Sequence, residues 1–228
     1  MERVICLFIG YVFGLFQTAY FYGKTKGIDI RKYGSGNAGT TNALRVLGTK
    51  AGLIVFAGDC LKCIIAVCIT RALFSTGHPE NIYLLCLYTG AGSIIGHNFP
   101  FYMGFKGGKG IAATAGLILS FHPYFIVMGV VLFFGAFLTT HYVSLGSLLV
   151  YAGFMIQMVV CGQMGLFGAI PQSQLYEMYA ITAFLTVMAY WKHRQNIVRL
   201  IPGYFRLLFC SLFLAVFLFA FLLVLFLL

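Results

Sequence analysis

Charge is what this sequence holds least of, and negative charge least of all. Charged side chains make up 9% of its 228 residues, against 61% hydrophobic, and only five are Asp or Glu. A soluble domain of this size exposes too much surface to be covered by so few charges, which excludes a water-soluble protein. No soluble basic domain stands apart from the apolar runs, so nucleic acid is not an expected partner. Cys60 and Cys63 form a C-x-x-C, but no second Cys or His pair completes a zinc site. The seven cysteines fall mostly in apolar runs and read as small packing residues, without a disulfide framework.

Several catalytic signatures are missing as well. Gly34, Gly36 and Gly39 spell GxGxxG, yet no acidic residue stands between Asp29 and Asp59, so the dinucleotide reading fails. A phosphate loop of the GxxxxGK[ST] type fails too, because Met103 stands five before Gly108 and Gly110 follows Lys109. Tyr102, not an acid, lies five residues after His97, so a His-x-x-x-x-Asp acyltransferase pattern is absent. No Ser/His/Asp nucleophile set and no metal cluster can be assembled, and neither a cofactor nor a metal is expected.

What is present is a series of apolar runs separated by short polar loops, as helices in lipid require. Candidate spans cover about 4–22, 51–73, 81–96, 110–121, 124–140, 146–163 and 176–191, with an eighth run at 207–228. The first lacks a small-residue cleavage site and reads as a helix that stays. The fourth is bounded by Lys109 and Pro123 and cannot cross about 30 Å of hydrocarbon, so it reads as half-inserted. The expected fold is an all-α integral membrane protein. A seven-helix bundle with one short half-inserted helix fills residues 1–205, and an additional C-terminal membrane helix fills 206–228.

Twelve of the fifteen basic residues lie in the 23–50, 97–109 and 192–206 segments. These alternate with the other loops, so they share one side, and the positive-inside rule makes that side cytoplasmic. The net charge of +10 fits an anionic substrate or anionic lipid headgroups.

The unusual sequence gathers on that face in three patches: "RKYGSGNAGTTNALRVLG" at 31–48, "GHNFPFYMGFKGGKG" at 96–110, and "THYVSLGS" at 140–147 together with "KHRQNIVRL" at 192–200. In the first, glycines such as Gly36 would bring backbone N–H groups close to an anion. Ser35, Asn37, Thr40, Thr41 and Asn42 would add hydrogen bonds, and Arg45 would grip a phosphate with two parallel N–H bonds. The bland alternative is a tight turn with helix-capping residues and a snorkelling arginine. In the second, Gly107, Gly108 and Gly110 would offer amides at a helix start, aided by the dipole, with Lys106 and Lys109 supplying charge. Its bland alternative is a glycine cap with lysines on lipid headgroups. In the third, His193 and Asn196 share a helical face. His97 reads equally as a base or as a structural histidine. Asp59 and Lys62, at i and i+3 in the second span, read as a mutual pair.

On these residues the chain resembles the bacterial acyl-phosphate:glycerol-3-phosphate acyltransferase family. The stretches "GSGNAGTTNALRVLG", "GHNFPFYMGFKGGKGIAATAG", "YVSLGS" and "HRQNIVRL" match in order and cover nearly the whole chain. The resemblance implies a multi-pass enzyme of the bacterial cytoplasmic membrane, active at its cytoplasmic face. It would move a fatty acyl group from acyl phosphate to the 1-hydroxyl of sn-glycerol 3-phosphate, giving lysophosphatidic acid for phospholipid synthesis. Carried over by position, it implies that Ser35 and Arg45 are functional, that the glycines with Lys109 bind the glycerol phosphate, and that Ser147, His193 and Asn196 bind substrate or act in catalysis; Ser144 is kept beside them as a substrate-binding candidate. Lys106 is kept as a second cation.

Four departures stand out. "RLIPGYF" places Phe205 where the family carries an acid; His141 replaces a fixed cation before "YVSL"; Cys63 takes a place commonly glycine; and 207–228 has no counterpart. Acyl phosphate is already activated, so positioning and charge stabilisation are the main tasks, and direct transfer without an acyl-enzyme is expected. The hydroxyl proton could go to the acceptor's own phosphate or to His193. The alternatives are an organic-phosphate transporter and an inactive relative. The expected partners are the two substrates and membrane lipid, with the oligomeric state left open.

Overall fold

A computed structural model of the chain describes residues 1–200, so the expected eighth span and the Phe205 departure lie outside the described residues. Nine helices make up the described residues: α1 Glu2–Gly14, α2 Thr18–Thr25, α3 Thr40–Leu47, α4 Thr49–Phe74, α5 Ile82–Asn98, α6 Ile111–Phe121, α7 Pro123–Thr140, α8 Val143–Gln163 and α9 Gln172–Leu200. Short 3-10 turns lie at Ile30–Lys32, Pro79–Asn81 and Phe101–Met103, and no strand occurs among the described residues. By length and composition, Glu2–Thr25, α4, α7 and α8 are able to cross a bilayer. The helices form two compact units, Met1–Pro123 and Tyr124 onward.

The first unit is built on one close helix crossing. Between apolar helices in lipid, association relies on packing, and small residues let backbones approach. Gly10 and Gly14 of α1 meet Gly92 and Gly96 of α5. A Cβ at Gly10 would lie 1.9 Å from the Thr89 carbonyl oxygen, and one at Gly92 would lie 2.1 Å from that of Leu7. α6 packs on α4 the same way, with Gly116 facing the Cys60 carbonyl. Arg71 of α4 closes the far end of α6 by donating to the Ser120 and Phe121 carbonyls at 3.3 and 2.9 Å. α6 has 11 residues, roughly 16 Å of helix, the short element expected from its bounding residues.

The first span differs from expectation: it is broken. α1 stops at Gly14, Gln17 is extended, and α2 begins at Thr18. In hydrocarbon each carbonyl freed by such a break needs a donor from the protein. Gln17 Nε2 donates to Gly14 O at 3.2 Å, and the Tyr102 hydroxyl donates to Leu15 O at 2.7 Å. Lys62 Nζ donates to Gly14 O and Phe16 O at 3.3 and 2.6 Å. That ammonium also meets Asp59 Oδ1 at 2.9 Å and His97 Nδ1 at 2.8 Å, while Thr18 Oγ1 donates to Asp59 Oδ1 at 3.0 Å. The expected Asp59–Lys62 pair is present, with side chains 1% and 4% exposed, and it is the centre of a larger hub.

The second unit packs α7, α8 and α9. Gly146 of α8 lets the Phe133 backbone of α7 approach, and Phe125 meets Phe154 edge to face at 5.4 Å. Tyr190 of α9 donates to Leu148 O of α8 at 3.1 Å.

The glycine crossing predicts a sharp asymmetry between positions. Gly92→Val forces backbone apart and should cost at least about 3 kcal/mol, the upper range for an overpacked interior. Gly135→Ala in α7 meets nothing within 4 Å and should be silent. Melting temperature and monodispersity in detergent measure both.

Candidate active site

The first polar loop is folded by its own side chains before any ligand is considered. Asp29 accepts from the Arg31 amide at 3.1 Å and pairs with its guanidinium through both oxygens, at 3.0 and 2.7 Å. The Arg31 guanidinium holds the Asp29 carboxyl at about 2, well below its ordinary value. Arg31 is therefore spent on this pair and on the face of Tyr20, 5.0 Å from its centroid. The chain then turns through Gly34, at φ 58°, where a Cβ would also lie 2.3 Å from Asn42 Oδ1. Asn42, 1% exposed, accepts from the Ser35 amide at 2.8 Å and donates to Ile30 O and Tyr33 O at 3.2 and 3.0 Å. This corrects two expectations. Asn42 is a buried clamp, not a ligand-facing amide, and the Gly36 N–H is committed to Tyr33 O at 3.0 Å. Ser35, Thr41 and Arg45 remain exposed, with Asn37 partly so. α3, in a stretch whose residues read as loop, carries Thr41 and Arg45 outward and seats Asn42 and Ala43 inward.

The second loop folds back onto the end of α5. Gly107 N–H donates to Asn98 O at 3.3 Å and Gly108 N–H to His97 O at 3.1 Å. Their amides are thus used by the fold, which corrects the expectation that both cradle an anion. Both must be glycine for another reason. A Cβ at 107 would lie 2.0 Å from His97 O, and one at 108 would lie 2.1 Å from His97 Nε2 and 2.9 Å from Ala38 O. Gly108 is therefore pressed between the His97 ring and the first loop. A small apolar core of Ala19, Ile30, Ala38, Ala43, Val55 and Met103 seats the two loops together. Gly110, at φ 83°, opens α6, whose first-turn amides lack intrahelical partners by geometry. Lys106 is exposed and Lys109 half-buried at this entrance. Neither Arg45 nor Lys106 makes an ion pair among the described residues.

His97 sits in the hub at 2% exposure, so the structural reading of this residue is the one the geometry favours. Gln17, Thr18 and Tyr102, its companions in the hub, carry no motif that marks them. The only signal was a Gln-Thr pair inside an apolar run.

In the second unit, Asn196 of α9 donates its side-chain amide to Ser144 Oγ of α8. His193, 3% exposed, has Nδ1 2.8 Å from Ala189 O, one turn back on α9. Taking that contact as Nδ1–H donating leaves Nε2 as the ring's acceptor nitrogen. Ser147, expected to bind substrate, is 1% exposed, and its hydroxyl donates to Val143 O at 2.8 Å. His141 occupies a left-handed turn at φ 59° between α7 and α8.

Apolar helices long enough to span, one of them broken and served by buried donors, define an integral membrane protein of the all-α class. The chain belongs to the glycerol-3-phosphate acyltransferase family, whose model matches residues 4–203. It is 40% identical over 205 residues to the glycerol-3-phosphate acyltransferase of Halalkalibacterium halodurans, covering 89% of this chain and 94% of that one. It is 34% identical over 204 residues to that of Bacillus subtilis, covering 88% and 95%. The fold matches the crystal structure of PlsY, an integral membrane glycerol 3-phosphate acyltransferase, in its glycerol 3-phosphate form. There the TM-score is 0.72, at 28% identity over 92% of this chain and 100% of that one. The lysophosphatidic acid form matches at a TM-score of 0.71.

Asn42→Ala strips two carbonyls and one amide of a partner, at roughly 1–3 kcal/mol for a buried group. Hydrogen exchange at the Ser35 amide should quicken by about tenfold or more. An unchanged rate would remove Asn42 as the clamp of this loop.

Proposed function

We propose that this chain transfers a fatty acyl group from acyl phosphate to the 1-hydroxyl of sn-glycerol 3-phosphate, at the cytoplasmic face of a bacterial inner membrane. Family membership supports the reaction class. The observation that carries the reading in this chain is the set of cations at one end of the first unit. Arg45 and Lys106 have no acidic partner there, Lys109 stands at the opening of α6, and the fold commits Arg31 elsewhere. Such groups suit a phosphate dianion, with Arg45 offering a planar fork and the lysines point charges.

The 1-hydroxyl oxygen forms a bond to the acyl carbon, the bond from that carbon to the phosphate oxygen breaks, and inorganic phosphate leaves with the electron pair. The hydroxyl proton passes to the acceptor's own phosphate or to a neighbouring base. Among the residues expected to act, Ser35, Thr41 and Arg45 are the exposed groups of the first loop. Gly36, Gly107, Gly108 and Gly110 shape the backbone around them. In the second unit, the family resemblance assigns Ser147, His193 and Asn196 to the reaction, and Ser144 is the hydroxyl that the Asn196 amide reaches. Direct transfer is the proposed course, with no acyl-enzyme on Ser35. No observation favours transport: the buried charges of the first unit are occupied by one another and by the broken span.

Purified protein in detergent should form lysophosphatidate and inorganic phosphate from palmitoyl phosphate and labelled glycerol 3-phosphate, and should form little from palmitoyl-coenzyme A. Lys109→Ala should raise KM for glycerol 3-phosphate about tenfold or more, equivalent to about 1.4 kcal/mol, with KM for acyl phosphate little changed. Uptake of glycerol 3-phosphate into sealed vesicles without product would contradict the proposal, and a covalently trapped acyl-Ser35 would contradict direct transfer.

A further inference from the structure

The break in the first span and the glycine-rich cationic loop end on the two sides of one buried imidazole. On one side, His97 Nδ1 lies 2.8 Å from Lys62 Nζ, whose remaining partners are Asp59 and the carbonyls of Gly14 and Phe16. On the other side, His97 Nε2 fills the space a side chain at 108 would need, and His97 O accepts the Gly108 N–H at 3.1 Å. The same carbonyl accepts from Gln17 Nε2 at 3.0 Å, so the break residue and the loop share one acceptor. Asp59 Oδ1 lies 3.6 Å from the same ring nitrogen; taking Lys62 as the ammonium, Nδ1 accepts and the ring hydrogen sits on Nε2, toward the loop.

Stability alone does not call for this arrangement. A buried ion pair is often no better for stability than well-packed apolar residues of the same volume, and an unbroken helix would need no donors for its carbonyls. What the hub supplies is a fixed position for the His97 ring. We propose that Lys62 and His97 are positioning residues for the glycerol phosphate site: the ammonium holds the imidazole, and the imidazole sets the height of Gly108 and, through it, of Lys109 and the start of α6. Neither residue need touch substrate. The proposal rests on the acyltransferase reading above and adds a mechanical link from the broken span to the phosphate-facing cations.

His97→Asn tests it with little threat to the hub, because the shorter amide can still accept from Lys62 while the far side of the ring is removed. Its melting temperature in detergent should stay within a few degrees of wild type. KM for glycerol 3-phosphate should rise about tenfold, while KM for palmitoyl phosphate stays within about twofold. Gly108→Ala is harmful beside the intact ring; in His97→Asn its two ring contacts, at 2.1 and 2.9 Å, are relieved and only the 2.9 Å approach to Ala38 O remains. The double variant should therefore bind glycerol 3-phosphate better than the two single effects combined would allow. A KM for glycerol 3-phosphate within twofold of wild type overturns the proposal. So does strict additivity, or a parallel loss of both KM values, kcat and melting temperature. A wild type that turns over no substrate overturns the acyltransferase reading instead. Hydrogen exchange at the Gly108 and Lys109 amides then decides the positioning claim alone: faster exchange in His97→Asn supports it and an unchanged rate overturns it.

Discussion

One ammonium group inside a membrane helix organises the first unit. Lys62 is 4% exposed, and all its partners are internal: a carboxylate, an imidazole and two main-chain carbonyls. Lipid offers no donor to a carbonyl that helix geometry has released, so the span can break at 15–17 only because Lys62, Gln17 and Tyr102 reach it. The paired glycines of α1 and α5 bring those backbones close enough for a single ammonium to serve them. The break, the crossing and the hub are one structural solution.

The two glycine-rich loops sit on that solution and divide their residues between folding and chemistry. Asp29 occupies Arg31, Asn42 occupies the Ser35 amide, and the end of α5 occupies the amides of Gly107 and Gly108. What remains outward is a short set of hydroxyls and cations. The backbone that carries them is held by the fold's own hydrogen bonds.

Much of this was legible in the residues. Apolar runs placed the spans, the distance from Lys109 to Pro123 showed that α6 is short, and the i, i+3 spacing paired Asp59 with Lys62. The motifs pointed to the family. The break at 15–17 was hidden because Gln17 and Thr18 are only two polar residues in a long apolar run, and their partners lie 80 and 41 positions away. α3 was hidden because its threonines and asparagine read as turn formers. The roles of Gly107 and Gly108 were misread for a deeper reason. A glycine needed for a backbone to approach a phosphate and one needed for a backbone to approach a histidine are the same letter, and only distances separate them. The burial of Asn42 and Ser147 was hidden similarly, since a polar side chain turned inward and one turned outward leave the same trace in the sequence.

The most direct test is a structure of the protein with glycerol 3-phosphate bound. Phosphate oxygens within hydrogen-bond reach of Arg45 and of Lys106 or Lys109, with His97 still seated between Lys62 and Gly108, are the expected result. A phosphate held away from all three cations, or against Arg31 with the Asp29 pair opened, would contradict the central claim that the hub sets the anion-binding groups.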